Sequence, residues 1–177
     1  SALKAGMPVG PLAIQDEVSL TLSEHVATET RKALQAEGKD LPRSTADDVI
    51  QTMIHEFDRK GKAAGAGFYD YPKGGKKQLW EGLKKWQKDT DISEQEMIDR
   101  FLFVQSLDTL RCLEEGVLES TVDGIGFAPW TGGALQFLNQ YGLEKALLRA
   151  NTLEAKYGVR FKAPQLLKDK IAQGEKI

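Results

Sequence analysis

Cysteine is nearly absent. Cys112 stands alone in 177 residues, so no disulfide can close within the chain and no cysteine zinc cluster can form. Histidine is almost as scarce. His25 and His55 are the only two, and neither stands in a His-x-x-x-His or Glu-x-x-His spacing that would hold a metal. Each has a Glu beside it, Glu24 and Glu56, but adjacent helix residues do not face each other, so neither pair makes an acid–base dyad. Excess charge is missing too. With 24 basic and 26 acidic residues the net charge is -2, which argues against non-specific nucleic-acid binding. No apolar run is long enough to span a bilayer, and no charged-then-apolar signal segment opens the sequence. These absences together point to a reducing, cytoplasmic setting.

What is present is a 41% apolar content, enough to bury a real core, and a set of helical patterns. Residues 1–5 read as the last turn of a helix, which implies a piece of a longer protein. Leu12 to Val18 reads as a short helix. Ser19 interrupts it, and a longer helix follows from Leu20 to Glu37, with Leu22, Val26, Ala33 and Leu34 on one face and Gly38 closing it. Ser44 with Asp47 marks the start of a helix from Thr45 to Phe57, striped by Val49, Ile50, Met53, Ile54 and Phe57. Phe68 to Tyr71 alternates as a short extended piece ended by Pro72, and Leu79 to Trp86 gives one or two helical turns. Ser93 to Glu96 is a capping box before a helix predicted to reach Glu119, apolar on several sides and therefore central. Further helices are expected over 134–139, 143–157 and 164–173. The fold class is all-α in two lobes, with domains at 1–91 and 92–177.

Two loops stand out. Gly6-Met7-Pro8-Val9-Gly10-Pro11 opens the first helix, and Gly124-Ile125-Gly126-Phe127-Ala128-Pro129-Trp130-Thr131-Gly132-Gly133 opens a later one. Glycine lets another surface approach closely, proline fixes one φ, and Pro in the first turn suits a helix start. Each loop is fit to wall a cleft, and the pair suggests an internal duplication.

Other features carry little chemistry. Gly65-x-Gly67 lacks the preceding strand and following helix of a dinucleotide loop, so it reads as a turn. Lys73, Lys76, Lys77, Lys84, Lys85 and Lys88 read as a solvated charge run. Asp108 and Arg111 have the spacing of a structural ion pair, and Cys112 reads as a small core residue. No catalytic, cofactor-binding or metal-binding residue is assigned.

Four motifs in order carry a resemblance: residues 6–13, the Gly65–Tyr71 aromatic turn, Arg111-Cys112-Leu113-Glu114-Glu115-Gly116-Val117-Leu118, and residues 124–135. Together they resemble the C-terminal helical region of bacterial 3-hydroxyacyl-CoA dehydrogenases, especially the multifunctional fatty-acid β-oxidation proteins. The resemblance implies two tandem helical domains similar to the C-terminal domain of 6-phosphogluconate dehydrogenase. It implies NAD-dependent oxidation of 3-hydroxyacyl-CoA to 3-ketoacyl-CoA, with the His–Glu dyad and the nucleotide loop in an upstream Rossmann domain of the same protein. NAD would then be bound by that domain and not by this chain, which alone would be inactive. Met7, Pro8, Gly10 and Pro11 match the loop facing the substrate cleft, and Gly126, Phe127, Pro129 and Trp130 match its counterpart in the second repeat. The connection from Glu119 to Gly124 is shorter than the family pattern, so Asp123 receives no role. Expected partners are the Rossmann domain, an acyl-CoA and a second copy of the chain. A helical binding or assembly module without redox chemistry is the competing reading.

Overall fold

Local capping chemistry sets the helix boundaries. The computed structural model describes residues 1–41, 43–121 and 132–177. Its helices are α1 (Pro11–Val18), α2 (Leu20–Ala36), α3 (Thr45–His55), α4 (Glu94–Glu114), α5 (Ala134–Tyr141), α6 (Leu143–Tyr157) and α7 (Gln165–Gln173). A two-residue antiparallel ladder pairs β1 (Tyr69–Asp70) with β2 (Gln78–Leu79). The all-α class holds, with this small hairpin as its only named sheet among the described residues.

The chain divides into two compact units. One comprises Val9–Thr90, and the other joins Ser1–Pro8 to Asp91–Ile177.

In the 9–90 unit, Ser19 turns the chain between α1 and α2 at a φ of 84°. Its hydroxyl accepts from Leu22 N–H at 3.2 Å, capping α2. Ser44 and Asp47 form the capping box that starts α3: Ser44 N–H donates to Asp47 at 2.8 Å, and Asp47 N–H donates to the Ser44 hydroxyl at 3.3 Å. Leu20, Met53, Ile54 and Phe68 are the buried core, with Val49, Ile50, Tyr69, Trp80, Leu83 and Trp86 packed on it.

The expected apolar face of α2 is corrected. Leu22 and Val26 are 46% and 55% exposed, and Leu20 is the only buried residue that the helix contributes. Position 31, one helical face away from them, carries the contact to α3: Arg31 pairs with Asp47 of the capping box. The α2–α3 contact is thus held partly by charge, which leaves the apolar stripe outside it.

The other unit is organised on α4. Ser93 accepts from Glu96 N–H at 3.1 Å and so caps it. The Glu96 side chain is drawn away to α6, where Lys156 reaches it at 2.9 Å and the Tyr157 hydroxyl donates to it. Leu102, Phe103, Leu107 and Leu110 of α4 are buried with residues of α5, α6 and α7. Phe103 meets Phe137 and Tyr141 edge-to-face, with centroids at 5.6 and 5.1 Å. Ala5 also lies in this core and is fully buried. Ala5 N–H donates to Ser1 C=O at 2.8 Å, a single helical turn at residues 1–5.

The central helix ends at Glu114, five residues before the expected Glu119. Gly116 takes a φ of 71°, and Val117 N–H returns to the Cys112 carbonyl at 2.8 Å. That is the glycine stop of a helix, with Gly116 following Glu114-Glu115.

The capping box makes α3 acid-sensitive. The Ser44 backbone N–H holds the Asp47 carboxyl below the usual carboxylate range, helped by the Ser44 hydroxyl, Arg31 and Arg43. A depressed folded-state pKa stabilises above the unfolded value of about 3.9 and ceases to do so as pH falls through the folded value. Glu96, held low by Tyr157 and Lys156, acts with the same sign in the other unit. Stability measured by urea unfolding is therefore expected to be flat from pH 7 to 5 and to fall below about pH 4. In an Asp47→Asn variant the acid-dependent part should be reduced.

Candidate functional site

Asp16 is the polar centre of the 9–90 unit. It lies on α1, five residues after Pro11, and is 1% exposed. Its Oδ1 accepts from Phe68 N–H at 2.7 Å, and its Oδ2 accepts from Tyr69 N–H at 2.9 Å and from the Tyr71 hydroxyl at 2.8 Å. Three donors compensate the cost of burying a carboxylate. Burial, then the bond to Asp16, pushes the Tyr71 phenol well above its ordinary pKa, so it stays a donor.

Arg59 holds the other side of the same segment. Its Nε donates to Gly67 C=O at 2.6 Å, and a terminal nitrogen donates to Tyr69 C=O at 3.0 Å and to Asp70 at 2.6 Å. Its guanidinium lies 4.4 Å from the Trp80 ring centroid. Asp16 thus takes the N–H groups of residues 68 and 69, while Arg59 takes carbonyls of 67 and 69. Gly67 makes the approach possible, because a Cβ there would stand 2.0 Å from Asp16 Oδ1.

The lock fixes α1, and α1 carries the Gly/Pro loop. Gly10 caps that helix with its carbonyl, accepting from Ala13 and Ile14 N–H at 3.1 and 3.2 Å. Its φ is −71° and no side chain caps the helix. A Cβ on Gly10 would meet nothing within 4 Å. Neither backbone strain nor crowding among the described residues calls for glycine there, unlike at Gly67. Pro8 and Pro11 are exposed and Met7 is half-buried, its N–H donating to Ala2 C=O at 2.9 Å. Gly126, Phe127, Pro129 and Trp130, with Asp123, lie outside the described residues.

The remaining candidates find ordinary partners. His55 meets Glu24 of α2 at 2.9 Å rather than its neighbour Glu56, and its side chain is 62% exposed. Asp108 and Arg111 pair at 3.2 Å, and Arg111 also donates to the Lys162 and Arg160 carbonyls at 3.1 and 3.3 Å. Gly65 adopts a left-handed φ of 81° at the end of a short 3₁₀ turn. Lys77 stacks on Tyr69, Lys84 pairs with Glu81 and Lys85 with Glu56. Cys112 is half-buried and free. Among the described residues no group of three His, Cys, Asp or Glu side chains is placed to hold a metal, and no helix is long and apolar enough to cross a membrane.

Sequence reasoning missed Asp16 and Arg59. The signal was the Gly67-Phe68-Tyr69 run, whose backbone donors need a buried acceptor. Asp16 is buried and holds three donors of its own chain, so it is not presented to a substrate. The arrangement orients the helix behind the loop.

Residues 1–71 match the 3-hydroxyacyl-CoA dehydrogenase C-terminal domain family, so the whole Asp16–Arg59 lock except Trp80 falls within the match. The chain is 31% identical over 184 residues to the fatty acid oxidation complex subunit alpha of Vibrio cholerae, covering 98% of this chain and 25% of the relative. The protein of the same name from Shewanella amazonensis is 31% identical over 185 residues, with the same coverages. That from Idiomarina loihiensis is 31% identical over 183 residues, covering 97% of this chain and 25% of its own length. The chain spans about a quarter of the length of these curated relatives. The chain is thus similar to the 3-hydroxyacyl-CoA dehydrogenase C-terminal domain over residues 1–71, and over nearly its whole length to one part of the fatty acid oxidation complex alpha subunits.

Proposed function

We propose that this chain is the substrate-cleft and dimerisation part of an NAD-dependent 3-hydroxyacyl-CoA dehydrogenase of fatty-acid oxidation, working in the cytoplasm. A separate upstream Rossmann domain of the same protein holds NAD and the catalytic dyad. The observation that carries the reading is the open surface at Gly10, on a helix locked from behind by Asp16. A residue with no side chain, where the chain's own atoms leave room for one, suits the approach of a second surface or a ligand. Met7, Pro8, Gly10 and Pro11 are the cleft residues in this reading, and Gly126, Phe127, Pro129 and Trp130 their counterparts.

The described residues do not form a dinucleotide loop. Gly65 and Gly67 lead into a two-residue strand, not a helix. In this reading the chain binds and orients the acyl-CoA, and the chemistry is carried elsewhere. The solvent-facing Leu22 and Val26 favour a second reading, a helical assembly module without redox activity.

The test is NADH oxidation with acetoacetyl-CoA. The longer protein containing this chain is expected to be active and the 177-residue chain silent. Gly10→Ala in the longer protein should lower kcat/KM about tenfold or more, while changing the stability of the isolated chain by less than about 1 kcal/mol. Activity in the chain alone would overturn the reading. A silent longer protein would leave the assembly module in its place.

A further inference from the structure

Two hollows in the 91–177 unit share one residue, Arg160. One is a groove of about 280 Å³ lined by Met97, Phe101, Val104 and Phe161, with Arg100 and Arg160 at its edges. The other is a bay of about 610 Å³ whose lining includes Arg111, Arg160, Lys162 and Lys168. The first is apolar with cations at its rim, and the second is cationic. We propose that Arg160 joins them into one binding site for a soluble anionic amphiphile, with a phosphate or carboxylate head and a flexible hydrocarbon tail.

Apart from Arg111, which pairs with Asp108, the cations of this site form no ion pair among the described residues. Arg100 is half-buried beside the groove and stacks on the Tyr157 ring at 4.1 Å. Neither it nor Arg160, Lys162 or Lys168 forms an ion pair among the described residues. A half-buried guanidinium without a carboxylate, at the rim of an apolar groove, suits an anion that arrives with its own apolar stem.

The backbone holds them in place. Phe161 is 2% exposed and packs on Tyr157 at 6.0 Å, anchoring the short turn between α6 and α7. Arg111 grips the carbonyls on either side of it, those of Arg160 and Lys162. With Phe161 turned inward, its neighbours Arg160 and Lys162 turn outward and are exposed. Glu114, the acidic residue of the bay, is occupied in accepting Leu166 N–H at 2.7 Å at the start of α7. The head is thus met by cations in a fixed turn, and the tail by α4. All of these residues lie outside the 1–71 match, so the inference does not rest on the dehydrogenase reading.

The test is calorimetric titration of the 177-residue chain with dodecyl phosphate below its critical micelle concentration. Decyl phosphate, octyl phosphate and inorganic phosphate serve as tail-length comparators, and dodecyltrimethylammonium as a competitor. Micromolar binding of dodecyl phosphate is expected. Affinity should rise up to about fourfold per added methylene, inorganic phosphate should bind at least about a hundredfold more weakly, and the cationic detergent should not compete. Arg160→Glu should weaken binding by about tenfold or more. Lys168→Glu, on a different element, should weaken it as well and gives the same reading if the first variant fails to fold. No binding, an affinity independent of tail length, competition by the cationic detergent, or unchanged affinity in the folded variants would each overturn the proposal.

Discussion

Asp16→Ala is expected to cost the 9–90 unit about 3 kcal/mol or more. Three donors, from Phe68, Tyr69 and Tyr71, lose their acceptor at once. Each buried donor left unpaired costs about 1–3 kcal/mol, offset in part because the carboxylate no longer needs desolvating. Urea unfolding followed by tryptophan fluorescence reads this directly in a Trp130→Phe background, since the remaining Trp80 and Trp86 both belong to that unit. Gly67→Ala should be comparably damaging, because its Cβ would collide with Asp16 Oδ1. The two changes should not add. Once Asp16 is truncated the collision is gone, so the double variant should cost at least about 1 kcal/mol less than the sum of the singles. Strict additivity would mean that the carboxylate and the glycine do not act on each other.

Arg149→Met is expected to be strongly damaging to the 91–177 unit. Arg149 Nε donates to Asp99 Oδ2 at 2.7 Å, and the Asp99 side chain is 6% exposed. Without the guanidinium, Asp99 keeps only the Gln95 amide at 2.8 Å. Breaking a buried pair from one side costs about 3–5 kcal/mol, while removing both charges together costs far less. The double variant Asp99→Leu with Arg149→Met should therefore recover much of what Arg149→Met loses. Hydrogen exchange of the α4 amides, which sit on the same helix as Asp99, would register both effects. A loss below about 1 kcal/mol for the single variant would show the pair to be as weak as a surface one.

The elements that could be read from the sequence are those decided within a few residues. Ser44, Ser93 and Gly38 mark helix ends because a cap is a bond between near neighbours. The central place of α4 is legible because its apolar residues, among them Leu102, Phe103, Leu107 and Leu110, cover more than one side of the helix. Asp16 was not legible, because its partners lie 52 to 55 residues away and nothing in 11–18 announces an acceptor. The direction of α2 was misread for a related reason: an apolar period shows that a face exists, not that this chain covers it. Half of the candidate site could be placed at Gly10 and its neighbours. That the described residues leave room for a side chain at Gly10 became visible only once the surrounding space could be measured.

Ala5 has a consequence for the order of synthesis. It is fully buried among side chains such as Leu107 and Leu138, which are made more than a hundred residues later. At the usual rates of translation its partners emerge on the order of 5 to 20 s after it does. The intervening residues 9–90 contain a complete core of their own and can fold in that interval. On the ribosome, the 9–90 unit would then finish first, and residues 1–8 would stay available to solvent, chaperones and proteases until α4 and α5 arrive.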